Sequence, residues 1–230
     1  MSQRRTRILI SIAALIAAVL VIPTQFTVVD MAEQDEIEES EAFNAETYVA
    51  EKWEAIESTL EDRSVDLATV LNAIQVDDNS SVAKDDLIAV TNEYGLITPG
   101  EAHVYAITGM GTVASVDTTS SRGTLVLTVD GYDGPIQLNL EIGPRLPSGD
   151  TSIRDAVGID FNEFTDQTEY GQVSSEINGR VRDEVLALLD FDSMEGSRIT
   201  VTGAMTIRTF NLLQIDLSEI NVIPFSIETA

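Results

Sequence analysis

The apolar pattern of this 230-residue chain changes period at Pro99-Gly100, and that switch decides how much of it can become helix and how much sheet. Upstream, the spacing is helical. Asn44 is a good N-cap, and Val49, Trp53, Ile56 and Leu60 fall on one face of the helix that it opens. Leu67, Val70, Leu71 and Ile74 recur at i, i+3, i+4 and i+7 and predict a second amphipathic helix. A third runs from Asp85 to Tyr94 and stops at Gly95. Between them Val76 to Ala83 is polar loop, with a glycosylation sequon at Asn79-Ser80-Ser81.

Downstream, the pattern suits strands. His103 to Val116 reads as one long strand, and Gly109 and Gly111 inside it predict a bulge or sharp coil. Thr124 to Val129 and Ile136 to Ile142 are the next strands, joined by a hairpin over Asp130 to Pro135. An irregular excursion follows from Gly143 to Gly171. Val173, Ile177, Val181, Val185, Leu188 and Leu189 then mark a helix, and Arg198 to Ile207 and Leu212 to Ile223 are two more strands. Three strands, a helix and two strands is the order of an OB-fold. The expected class is therefore mostly β with helices (α+β). An OB-like five-stranded barrel spans 99–230, after a small helical subdomain at 43–98. An unrelated five-stranded α+β sheet is the alternative.

Residues 1–29 read as a membrane anchor or signal segment. Arg4, Arg5 and Arg7 precede an uncharged stretch from Ile8 to Val29, and residues 30–42 are an acidic linker. Ile8 to Ile22 alone is short for a bilayer span of about 20 residues; the apolar residues through Val29 extend it. Basic residues upstream and acids downstream place the domain outside. A small-residue A-x-A cleavage pattern is missing after Ile22, which favours an uncleaved transmembrane helix over a signal peptide. Either reading exports the domain.

Charge narrows the partners. Thirty-nine acids against 13 bases give a net charge of −26, and the only lysines are Lys52 and Lys84. Such a field repels phosphates, so nucleic acid is not an expected partner. Acidity with almost no lysine fits a surface adapted to high salt. Cysteine is absent, so packing alone must stabilise the fold.

Several segments carry a resemblance. They include Phe43-Asn44-Ala45-Glu46-Thr47-Tyr48-Val49 with Trp53, Val65 to Leu71, Gly109 to Asp117, and Leu140-Glu141-Ile142-Gly143-Pro144. The most specific are Ile153-Arg154-Asp155-Ala156, Phe161 to Gln167, Tyr170 and Asn178, followed by Thr202-Gly203-Ala204-Met205. Together they resemble a family of predicted periplasmic lipoproteins of unknown function, often encoded beside sugar ABC transporters. The resemblance implies an OB-like barrel preceded by helices, a place outside the membrane near solute uptake, and no established catalytic activity. Members typically carry a lipidated cysteine; here a hydrophobic segment stands in its place.

The Gly143–Gly171 excursion is the candidate site, because a connection of about 28 residues is long for a compact domain. Its Arg154, Asp155, Asn162, Thr165, Gln167 and Tyr170 suit recognition of a sugar or carboxylate. The competing reading is structural: an Arg154–Asp155 ion pair, with Phe161 and Phe164 plugging the barrel mouth. Asp130 to Gly134 lacks the ligands of a calcium loop and reads as a turn. His103, the single histidine, has no nucleophile motif beside it. Trp53 reads as a helix-to-barrel contact and Gly179 as a close-packing position. No catalytic residue, metal or cofactor is expected. The expected function is a non-enzymatic, single-pass, extracytoplasmic accessory protein. Its expected partners are an ABC permease or solute-binding protein, or a small sugar-like solute. A surface polysaccharide hydrolase using paired carboxylates and a structural envelope component are the alternatives.

Overall fold

The computed structural model describes residues 43–143, 146 and 149–229. The N-terminal apolar segment and acidic linker lie outside the described residues. No helix among the described residues is long and apolar enough to cross a membrane. Asn44–Ala230 form one compact unit.

Helix α1 (Ala45–Arg63) opens where the Asn44 side chain accepts from the Thr47 amide at 2.9 Å, a cap contributing about 1 kcal/mol. Its buried face is Val49, Ile56 and Leu60. A two-residue strand β1 (Val65–Asp66) leads into α2 (Leu67–Ala73), capped by Asp66 and burying Leu67, Ala68, Val70 and Leu71. Strand β2 (Ser81–Ala83) stands in the expected polar loop, and α3 (Lys84–Tyr94) and β3 (Leu96–Ile97) follow.

The long strand is β4 (Ala102–Asp117), and β5 (Thr124–Val129) and β6 (Gln137–Glu141) come next. The excursion is not irregular throughout: it holds α4 (Ser152–Val157) and a 3-10 turn at Phe161–Glu163. Helix α5 (Gln167–Glu184) begins earlier than its apolar face suggested, because Asp166 caps it from the amides of Thr168 and Glu169. Strand β7 (Arg198–Arg208) follows. The expected last strand is divided: β8 (Gln214–Asp216) leaves to pair with β2, and β9 (Glu219–Thr229) returns to the main sheet. The break is an Asx turn, in which Asp216 Oδ1 accepts from the Ser218 amide.

In the main sheet β4 pairs with β5, β5 with β6, β6 with β9 in parallel, β9 with β7, and β7 back with β4. Each of these five strands therefore has two neighbours within the circuit, and β4 also pairs with β1 and β3. The bulge in β4 falls between Val113 and Ser115, beyond the two glycines expected to mark it. Those glycines admit neighbours instead. A Cβ at Gly109 would lie 2.8 Å from the Leu67 Cβ, and one at Gly111 would lie 2.3 Å from the Thr128 carbonyl oxygen.

Helices cover both faces of the β4–β7 pair. On one, Thr91 of α3 reaches Tyr105 and His103, with Oγ1 2.6 Å from the Tyr105 hydroxyl and from His103 Nδ1. His103 Nε2 meets the Thr209 hydroxyl at 3.1 Å, and that hydroxyl donates to the Glu101 carbonyl. The Thr91 hydroxyl likewise donates to the Leu87 carbonyl at 2.7 Å, so each ring nitrogen of His103 faces a hydroxyl that also bonds a backbone carbonyl. Burial holds His103 below its ordinary pKa and pushes Tyr105 up to about 12. On the opposite face α4 lies across β4 and β7, with Ser152 Oγ 2.7 Å from Thr206 Oγ1. Trp53 of α1 stacks on Phe225 of β9 at 4.9 Å and carries Arg180 on its ring at 4.3 Å, a helix-to-sheet contact as expected.

Candidate functional site

Helix α4 is short because Gly158 ends it in the left-handed conformation at φ 76°, with the Gly158 and Ile159 amides returning to Asp155 and Arg154. That stop places Arg154 and Asp155 in the last turn, facing the start of α5. Arg154 is buried, and three of its five N–H groups have protein partners. Nε and Nη2 donate to Asp155 Oδ1 at 3.0 and 2.7 Å, and Nη1 donates to the Tyr170 carbonyl at 3.0 Å. The guanidinium carbon sits 3.4 Å from the Tyr170 ring centroid. The Tyr170 hydroxyl donates to the Ile159 carbonyl at 3.0 Å and lies 3.4 Å from Asp155 Oδ1. Burial raises the pKa of Tyr170, so it stays a neutral donor.

This cluster forms one wall of a cleft of about 550 Å³. The other wall is Leu96 to Gly100, the end of β3 and the turn into β4. Ile97 and Pro99 face Ile159, Phe161 and Tyr170 across it, and Arg154, Asp155 and Gln167 supply polar groups. The structure thus brings four expected residues together: Arg154, Asp155, Gln167 and Tyr170. Asn162 and Thr165 are not part of the lining. The Asn162 amide and side chain both bond Asp160 Oδ1, closing the 3-10 turn, and the Thr165 amide donates to Glu169 Oε2 at the start of α5.

Phe161 and Phe164, read from the sequence as a plug for the barrel mouth, instead pack on Tyr170, and Phe164 also on Tyr48 of α1. Phe164 is buried against Tyr48 of α1 at 5.2 Å and Tyr170 at 5.4 Å, which locks the excursion to α1. Phe161 meets Tyr170 edge-on at 5.5 Å and remains exposed in the cleft. The lock is completed by Glu163, whose Oε2 accepts from the Tyr48 hydroxyl at 3.0 Å and from Lys52 at 2.5 Å. The hydrogen bond from Lys52 holds the Glu163 carboxyl below its usual range.

Sequence reasoning missed the opposite wall. Leu96-Ile97 ahead of Pro99-Gly100 reads as a boundary, and nothing local says that this boundary folds back onto residues 154–170. No group of three or more histidine, cysteine or acidic residues suited to a metal occurs among the described residues.

No curated protein matches the sequence. Among solved structures, an OB-fold protein from Thermotoga maritima superimposes with a TM-score of 0.62 at 18% identity, covering 83% of this chain and 100% of that one. That likeness fits the circuit of β4, β5, β6, β9 and β7 with its helix between the third and fourth strands. Residues 15–228 match the family model described as predicted periplasmic lipoprotein (DUF2291), and the chain belongs to that family.

Proposed function

We propose that this protein is a non-enzymatic binding accessory on the outer face of a membrane, serving an ABC-type sugar uptake system. The observation that carries the reading is the cleft between the β3–β4 turn and the α4–α5 wall. Apolar and aromatic groups at Ile97, Pro99, Phe161 and Tyr170 flank planar polar groups at Arg154, Asp155 and Gln167. A sugar-like solute matches that mixture, with C–H faces against the aromatic rings and hydroxyls toward carboxylate and amide. Hydrolysis by paired carboxylates needs a protonated acid beside an ionised one. In the cleft Asp155 is ion-paired with Arg154 and Asp160 is exposed. The carboxyl that burial holds above its usual range is Glu141, on β6, which does not line the cleft. This favours binding over hydrolysis.

The sequence holds no cysteine to carry a lipid, and its uncharged Ile8–Val29 stretch is the proposed single-pass anchor. The ring of five strands is then a barrel held outside the bilayer, presenting the cleft to a permease or solute-binding protein.

Crosslinking in native membranes followed by recovery of the full chain tests this. Capture of an ABC permease or solute-binding protein supports it. Capture of no transporter component, together with no chemical-shift change on titration with simple sugars, would sink it.

A further inference from the structure

The connection from β7 to β8 exposes three large apolar side chains: Phe210 at 66%, Leu212 at 45% and Leu213 at 83% of their full surface. They are not on a loosely held loop. Thr209, fully buried, bonds His103 Nε2 and the Glu101 carbonyl through its hydroxyl, and its own amide also donates to Glu101. The Leu212 amide closes a turn onto the Thr209 carbonyl, Asn211 takes the left-handed conformation at φ 59°, and the Leu213 carbonyl accepts from Lys84. A built turn therefore holds apolar groups out into solvent, where they gain nothing for the fold.

We propose that this tip is a bilayer contact: Phe210, Leu212 and Leu213 enter the headgroup boundary of the membrane to which the chain is tethered. Two observations select lipid as the occupant. The family is one of membrane-attached proteins by description. The linker at 30–42, about 13 residues, spans at most roughly 45 Å, so the start of the domain at Asn44 stays within that reach of the bilayer. The contact is apolar rather than electrostatic. Asp85 and Asp86 lie exposed just after Lys84, Lys84 is itself paired with Glu101, and the whole chain carries −26. Zwitterionic headgroups are therefore the matching surface, and anionic ones oppose the contact. The inference rests on the proposed tether and is independent of what the cleft binds.

The absence of cysteine allows a clean test. Full-length protein with Leu213→Cys carries an environment-sensitive fluorophore and is reconstituted in phosphatidylcholine vesicles, with and without brominated acyl chains. A Glu57→Cys label on the exposed face of α1 is the control. The expected result is quenching at position 213 exceeding the control by roughly twofold or more, reduced when phosphatidylglycerol is added. Adding Phe210→Ser and Leu212→Ser should abolish that excess while the circular-dichroism melt stays cooperative. Equal quenching at 213 and 57, or a chain that does not float with the vesicles, overturns the proposal. Saccharide titration of the same labelled protein reports on the cleft separately.

Discussion

The guanidinium carbon of Arg154 sits over the ring of Tyr170, 3.4 Å from its centroid, while Nη1 donates to the backbone carbonyl of the same tyrosine. One side chain thereby joins α4 to the first turn of α5 and shapes the wall of the cleft. Arg154→Ala leaves Asp155 buried without its cation, and we expect a loss of about 3–5 kcal/mol in urea unfolding. Arg154→Lys should also destabilise, because an ammonium cannot fork onto Asp155, bond the carbonyl and stack together. Wild-type stability for either variant would mean that the cluster is not what holds this wall. Gln167→Ala, by contrast, should leave the melting temperature unmoved, since Gln167 is exposed, and should weaken the saccharide binding proposed for the cleft.

Gly158 at φ 76° faces Arg63, whose Nη1 would lie 2.8 Å from an added Cβ. Gly158→Ala should cost about 1–2 kcal/mol from backbone strain, plus the displacement of Arg63 from the Ala156 carbonyl it bonds at 3.0 Å. Arg63→Ala removes the second contribution. The double variant should therefore be more stable than the sum of the two single losses predicts. Strict additivity in denaturant titrations would show that the arginine had never been in the way.

His103 makes stability sensitive to mild acid. Its folded pKa is lowered by burial, so below the unfolded value of about 6.5 the unfolded chain binds a proton that the native chain refuses. This contribution is complete above that pH and is lost as pH falls through the folded pKa. His103→Gln should flatten the decline in that window. Nitrogen shifts of the ring at pH 8 should report a neutral imidazole; a protonated ring at that pH would contradict the lowered pKa.

Glu141 acts in the opposite sense. Burial raises its pKa, Arg122 at 3.9 Å offsets part of that, and Oε2 has no hydrogen-bond partner. Its contribution is full below the unfolded pKa of about 4.3 and is lost as pH rises through the folded value. Glu141→Gln should therefore raise the melting temperature at pH 7 and converge with wild type near pH 4. A variant less stable at both pH values would show that the carboxylate has a native partner.

The net charge of −26 predicts a melting temperature that climbs by about 5 °C or more from millimolar to molar sodium chloride, as self-repulsion is screened. An unchanged midpoint would remove the case for salt adaptation.

Much of the architecture was legible because it is written at short range. Asn44, the apolar face of α2 and the alternation in Thr124–Val129 each place an element without reference to anything distant. The division of the last strand was hidden, since β8 leaves the main sheet only because β2, about 130 residues earlier, supplies an edge. The site was half legible for the same reason. Arg154, Asp155, Gln167 and Tyr170 are close in sequence and polar in a long connection, which drew attention to them. Asn162 and Thr165 carry the same chemistry, yet the local demand for capping bonds takes them. Ile97 and Pro99 become cleft residues only when β3 pairs with β4.

The pairing of β4 with β7 also sets an order of events. Partners such as His103 and Ile207 stand roughly 100 residues apart, whereas β5 follows β4 at once. In a chain delivered N-terminus first, the outer half of β4 is ready long before β7 arrives. In that interval Ala102 to Met110 is an open, apolar strand edge, and α2 and α3 are the elements already present to shield it. The helices ahead of β4 therefore serve as a guard for the nascent sheet as well as a lid for the finished one. A chain cut before Arg198 should aggregate rather than wait.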